Sequence, residues 1–181
     1  KDPVAQLGMM LEQQEQEVRT HKAVLEKLLP ELGAMYTLGG NKPRVRYFEG
    51  IEGLRQMQAE FLRCQSKKIY AISSLDNVLE ILPDQFESYT PRRIARGIHS
   101  KIIYTTKRGE ILERNDIKHL RESRFLRPEK FSFTSDITLF DDSVAISSME
   151  TPISGTIITH KDIAGSFKAL FSTMWELSEH L

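Results

Sequence analysis

The chain has 181 residues, with 25 Lys and Arg balanced by 25 Asp and Glu, a hydrophobic fraction of 40% and a charged fraction of 28%. That length supports one well-buried core plus an accessory element, and no window approaches the roughly 18 unbroken apolar residues of a membrane span. The opening KDPVAQLGMM is not a basic-then-apolar secretion signal, and a single cysteine, Cys64, excludes a disulfide framework and a Cys-rich zinc site.

The first forty residues read as one helix, with Asp2 as N-cap and Pro3 at the first helical position. Alternating steps of four and three from Leu7 reach Leu11, Gln14, Val18, His21, Leu25, Leu28 and Leu32, the spacing of a two-stranded coiled coil. Gln14 and His21 are the polar seam residues that fix register at a cost in stability. The pattern predicts a homodimer through this helix, although a helix packed on its own domain would use the same leucines. Pro30 predicts a kink or restart, and LGGNKP (38–43) ends the element, placing the boundary of a second domain at residue 41.

From Pro43 short strands alternate with helices. RVRYF (44–48) reads as a strand, followed by a helix whose Ile51, Leu54, Met57 and Phe61 share one face and which places Cys64 as a buried apolar residue. In YFEGIEGL (47–54) two glycines three apart make a tight strand-to-helix turn. Glu49 and Glu52 would repel an anion there, so a structural turn is expected. KIYAIS (68–73) is a second strand; helical segments follow over 74–82 and 83–97, with Ser74 as a cap and Pro91 starting or bending the second.

HSKIIYTT (99–106) is a third strand, and residues 112–124 read as a polar helix or helical turn. Residues 91–130 hold 12 Lys and Arg against 5 Asp and Glu, whereas 131–181 hold 2 against 7. Such asymmetry suits faces that pair within the fold, or an anionic ligand, nucleic acid included. KFSFTSDITLF, the turn DDS, VAISSM and GTIITH then read as successive antiparallel strands. A last helix carries Ile163, Phe167, Leu170, Phe171, Met174, Trp175 and Leu177 along its core face. The order predicts an α/β sandwich with a mixed sheet.

Neither a G-x-G-x-x-G nor a G-x-x-x-x-G-K-[ST] stretch occurs, and the five histidines show no H-x-x-x-H or H-E-x-x-H spacing, so no nucleotide, metal or other cofactor is expected.

KPRVRYFEGIEGL, the block from FTSDITLF to the final A-x-S-F-x-x-L-F-x-x-x-W helix, and the coiled-coil helix in front together resemble the regulatory part of TrmB-like transcriptional regulators. The resemblance spans residues 1–181. It implies a coiled-coil dimerisation helix over 1–40 and a phospholipase D-like effector-sensing domain over 41–181, in a cytoplasmic transcription regulator without enzymatic activity. DNA would be read by an N-terminal winged helix that this sequence lacks, and the start inside a helix reads as that of a fragment.

The resemblance also bears on His99-Ser100-Lys101, which matches the H-x-K opening of the phospholipase D signature. In an active enzyme that signature lies on a late strand running into a turn, with a G-S pair on the next strand. Here that place reads TSDITLFDDSVAISS, so matching the turn acid to Asp141 puts Thr134 at the nucleophilic histidine, Asp136 at the phosphate-clamping lysine, and Ser147 and Ser148 at the G-S pair. Thr and Asp supply neither function. His99 and Lys101 instead read as polar residues on one side of an earlier strand.

The expectation is therefore a sensor of an unidentified small molecule. Its candidate contacts are Ser73, Ser74, Arg92, Arg93, His99, Asp136 and Glu150, polar residues at expected strand ends or helix starts. The alternatives are a phosphodiesterase or nuclease of the phospholipase D class, and a nucleic-acid-binding module using the basic 91–130 segment.

Overall fold

A computed structural model describes residues 3–37 and 42–178. Helix α1 spans Pro3–Thr37 without interruption, so Pro30 does not restart it. Asp2, the expected cap, and Leu38–Asn41 of the expected break lie outside the described residues, as do the side chains of Leu7 and Leu32. Residue contacts divide the chain into Lys1–Lys42 and Pro43–Leu181.

The second unit contains β1 (Arg44–Glu49), α2 (Gly50–Phe61), β2 (Lys68–Ser74), α3 (Leu75–Ile81), a π-helical turn (Gln85–Tyr89) and α4 (Thr90–Ala95). It continues with β3 (His99–Thr105), a short 3₁₀ turn (Glu113–Asn115), β4 (Arg121–Leu126), β5 (Ser135–Phe140), β6 (Ser143–Ser148), β7 (Ser154–Thr159) and α5 (Lys161–Leu177). The strands form one seven-stranded mixed sheet in the order β1-β7-β6-β5-β2-β3-β4. Strands β2, β3 and β4 run parallel, as crossover connections require, while β5, β6 and β7 form an antiparallel meander that β1 extends.

Side-chain alternation divides the apolar residues between two faces. On one face Leu54, Met57 and Phe61 of α2, with Val78 of α3 and Tyr89 of the π-helical turn, cluster with Ile69, Phe140, Ala145 and Ile157 of the sheet. On the other, α5 packs Ile163, Phe167, Phe171, Met174 and Trp175 against Ile72, Ile103, Leu139 and Val144. Leu170 and Leu177, expected on this core face, are instead exposed, as is Ile51 of α2.

The strand-to-helix turn at β1–α2 is structural. Gly50 has φ of +67°, and a Cβ on Gly53 would lie 3.0 Å from the Phe48 carbonyl carbon. The Gly50 amide donates to the Ile153 carbonyl at 2.9 Å, so it is already engaged. Ser74 occupies the N-cap position of α3 but makes no side-chain cap hydrogen bond. Cys64 is buried, just past α2 rather than within it.

Residues 112–124 depart most from the sequence expectation. A 3₁₀ turn is followed by a tight reversal through Leu120, φ +49°, into strand β4. Asp116 holds this reversal: its carboxylate accepts from the Arg121 Nε at 2.8 Å and from the Ser123 backbone amide at 2.6 Å. Of the 130–140 stretch only Ser135–Phe140 is strand. Among the described residues no helix is long and apolar enough to cross a membrane.

Candidate functional site

The register brings polar groups from distant parts of the sequence into one row. Strand β5 pairs with β2 through Ile72↔Ile137 and with β6 through Asp136↔Ser147, so Ser73, Asp136 and Ser147 sit side by side on the face covered by α2, α3 and α4. Between that face and the helices is a cavity of about 110 Å³. Its wall is largely apolar, with Leu54, Met57, Phe61, Ile69, Leu82 and Met149 contributing, and the polar row interrupts it.

Asp136 is the unusual member. Its Oδ1 is buried and has no hydrogen-bond partner among the described residues. Burial pushes the carboxyl up to about 6, opposed by a hydrogen bond from Ser73. Ser73 and Ser147 are both buried beside it. Tyr89, delivered by the π-helical turn, is buried on the same wall, and burial raises its phenol above the ordinary value, so it stays neutral.

Two arginines reach this region, and both are occupied. Arg93, only 3% exposed, donates to the carbonyls of Ile98, His119 at 2.6 Å and Leu120 at 3.3 Å, fastening α4 to the starts of β3 and β4. Burial lowers its pKa from the ordinary arginine value. Arg121 pairs with Asp116 and donates from Nη2 to the Leu112 carbonyl at 2.6 Å. The guanidinium groups hold the backbone together, and hydrogen bonding to the charged form offsets the cost of burying them.

Of the seven candidate contacts, the structure brings Ser73, Arg93 and Asp136 to the cavity. Ser74 is half-buried at the start of α3, and Arg92 is exposed on α4. Glu150 is exposed, and its carbonyl accepts from the Ser148 hydroxyl at 3.4 Å. His99 is exposed and, with Lys101, belongs to the sheet face opposite the cavity, while Ser100 between them turns toward it. Lys101 pairs with Glu122 at 3.1 Å and lies 5.0 Å from the Trp175 ring centroid. The H-x-K pair is therefore separated from Asp136 by the sheet itself.

Asp141, matched to the turn acid, has a clear structural task. It occupies the β5–β6 turn at φ +44°, and its carboxylate accepts the amides of Gln65 at 2.8 Å and Ser66 at 2.9 Å. Burial works to raise its pKa, but these amides and the nearby Lys168 outweigh it and hold the carboxyl below its ordinary value. Thr134 is exposed in the irregular segment before β5.

Sequence reasoning missed Tyr89, Thr138, Met149 and Arg121 as wall residues. Thr138 was legible from alternation with Asp136. Tyr89 was not, because a π-helical turn has no 3.6-residue period to point it inward. Among the described residues no group of three or more His, Cys, Asp or Glu is placed to hold a metal ion.

No family model and no curated protein matches the sequence. Among solved structures, the chain is similar to TrmBL2, an archaeal chromatin protein described as showing a novel mode of DNA binding, with a TM-score of 0.53 and 19% identity. The match covers 94% of this chain and 66% of that one, so the chain spans about two thirds of TrmBL2's length. It is also similar to NucT from Helicobacter pylori, with a TM-score of 0.51 and 11% identity over 75% of this chain and 97% of that one. At these identities the shared property is the fold.

Proposed function

We propose that the chain is the dimerisation and effector-sensing region of a TrmB-like transcriptional regulator, with a phospholipase D-like sensing domain that has no catalytic activity. The observation that carries this reading is Asp136. Half-buried Asp136, with its Oδ1 shielded from solvent, lines the cavity at the position matched to the phosphate-clamping lysine, where a carboxylate charge repels a phosphodiester. The likeness to TrmBL2 over 94% of this chain supports it at the level of fold.

In this reading a small molecule entering the cavity binds one arrangement of the chain better than another and shifts the population toward it. The dimerising helix carries that bias to a DNA-reading domain, and DNA binding alters effector affinity by the same factor. Ligand contact falls to Asp136, Ser73, Ser147 and Tyr89, while Arg93 and Arg121 hold the wall in shape.

The test is hydrolysis of a generic phosphodiester, bis(p-nitrophenyl) phosphate, by the intact chain. The expected rate equals the buffer background. Turnover that disappears in a Lys101→Ala variant would restore the phosphodiesterase reading and remove this one.

A further inference from the structure

Among the described residues no cation pairs with Asp136, whose Oδ1 is buried. Strand β2 offers only the Ser73 hydroxyl, β6 offers Ser147, and α2 offers the neutral Gln58. The π-helical turn offers Tyr89, a neutral phenol. Helix α4 offers Arg93 and β4 offers Arg121, but their hydrogen bonds run to Ile98, His119 and Leu120, and to Asp116, Leu112 and Ser123. Among the described residues the Oδ1 is left without a partner. Burying an unpaired carboxylate is costly, and a ligand that brings a positive hydrogen-bond donor removes that cost on binding.

The rest of the cavity limits what that ligand can be. An engineered apolar cavity of about 150 Å³ in another protein holds benzene, with its six non-hydrogen atoms, so this cavity of about 110 Å³ takes a body of roughly four or five. A sugar ring with its hydroxyls exceeds that size and would strand polar groups against Leu54, Met57 and Phe61. An anion would meet Asp136.

We propose that this cavity binds a small amine with a compact apolar body, its ammonium group paired with the Asp136 carboxylate and hydrogen-bonded by the Ser73 and Ser147 hydroxyls, its hydrocarbon against the α2 wall. The proposal rests on the effector-sensing reading and specifies the chemistry of the effector. A turn about the terminal torsion of Asp136, which is broad and two-fold, brings either oxygen to the ammonium.

The experiment is calorimetric titration of the intact chain with cyclobutylamine at pH 7.5, with cyclobutanol as the neutral probe of the same shape. The amine should bind at least about tenfold tighter than the alcohol, the ordinary scale of a charge-assisted pair. Asp136→Asn should abolish that preference. In the wild-type chain, amine affinity should fall as pH drops below about 6, toward about tenfold per pH unit, as Asp136 takes up its proton. Equal affinity for amine and alcohol, absence of binding by either, or an amine preference that survives at pH 4.5 or in Asp136→Asn would overturn the proposal. Any of these in a chain inert toward the phosphodiester leaves the regulator reading standing; phosphodiester turnover removes that reading whatever the amine does.

Discussion

Asp136 and Asp141 are five residues apart, and their carboxyls are shifted in opposite directions. Asp141 accepts two backbone amides and its pKa is depressed, so its contribution to stability is present above the ordinary carboxylate range and is lost as pH falls through its folded pKa. Asp136 is raised to about 6 from 3.8, so the sign reverses: its favourable contribution is full below 3.8 and is lost as pH rises through about 6. That difference corresponds to about 2 kcal/mol lost between pH 4 and pH 7.5. Asp136→Asn should therefore be more stable than wild type by about 2 kcal/mol at pH 7.5 and nearly equal to it at pH 4, as read from urea denaturation. A difference that is the same at both pH values would show that the carboxylate is not buried unpaired. The sequence pointed to Asp136 through its position in a motif, and to Ser73 and Arg93 through their places at strand and helix ends. It could not show that Arg93's donors are used up by three carbonyls, because Ile98, His119 and Leu120 come from two loops whose meeting depends on the whole β2-β3-β4 arrangement.

The β1–α2 turn was readable because glycine leaves a distinct mark when backbone geometry forbids a side chain. The two glycines act differently: Gly50 adopts φ +67°, while Gly53 lets the helix approach Phe48. Gly50→Ala should cost about 1 kcal/mol for the left-handed backbone. Gly53→Ala should cost about 1–3 kcal/mol, because the added Cβ meets backbone that cannot rotate aside. Thermal melts of the two variants measure this; a Gly53→Ala protein as stable as wild type would mean that the helix can shift off Phe48. Strand β4 was misread for an equally physical reason. Its outer edge is unpaired and its RESRFL sequence alternates charged groups on both faces, a pattern that a polar helix shares. What makes it a strand is Asp116, which fixes the reversal before it, and parallel pairing with β3 through Ile103↔Arg124. Neither tie has a local signature.

At the level of the whole chain, the change from 3.6-residue periodicity to short alternating runs near Pro43 and the β-α-β order were enough to anticipate a mixed sheet. The placement of β1 beside β7, and of the meander beside β2 rather than beyond β4, was not legible, because strand order depends on long-range pairing. The cavity was hidden for the same reason, since its wall draws on residues from Leu54 to Met149. Helix α1 carries an exposed apolar stripe: Leu11 is 63% exposed, Val18 66% and Leu25 54%, on a seven-residue spacing. An isolated amphipathic helix gains most of its stability by burying such a stripe, and a second copy of the same helix presents a matching one. The intact chain should therefore sediment at about twice its 20.8 kDa mass. Replacing Val18 and Leu25 together by aspartate puts two charges per helix into the seam, where like charges face each other across the pair. The double variant should sediment as a monomer while the near-ultraviolet signal of Trp175, which stacks on Phe171 in the α5 core, stays unchanged. A wild-type chain that is monomeric at tens of micromolar, or a double variant that remains dimeric, would show that this stripe is not the dimer seam.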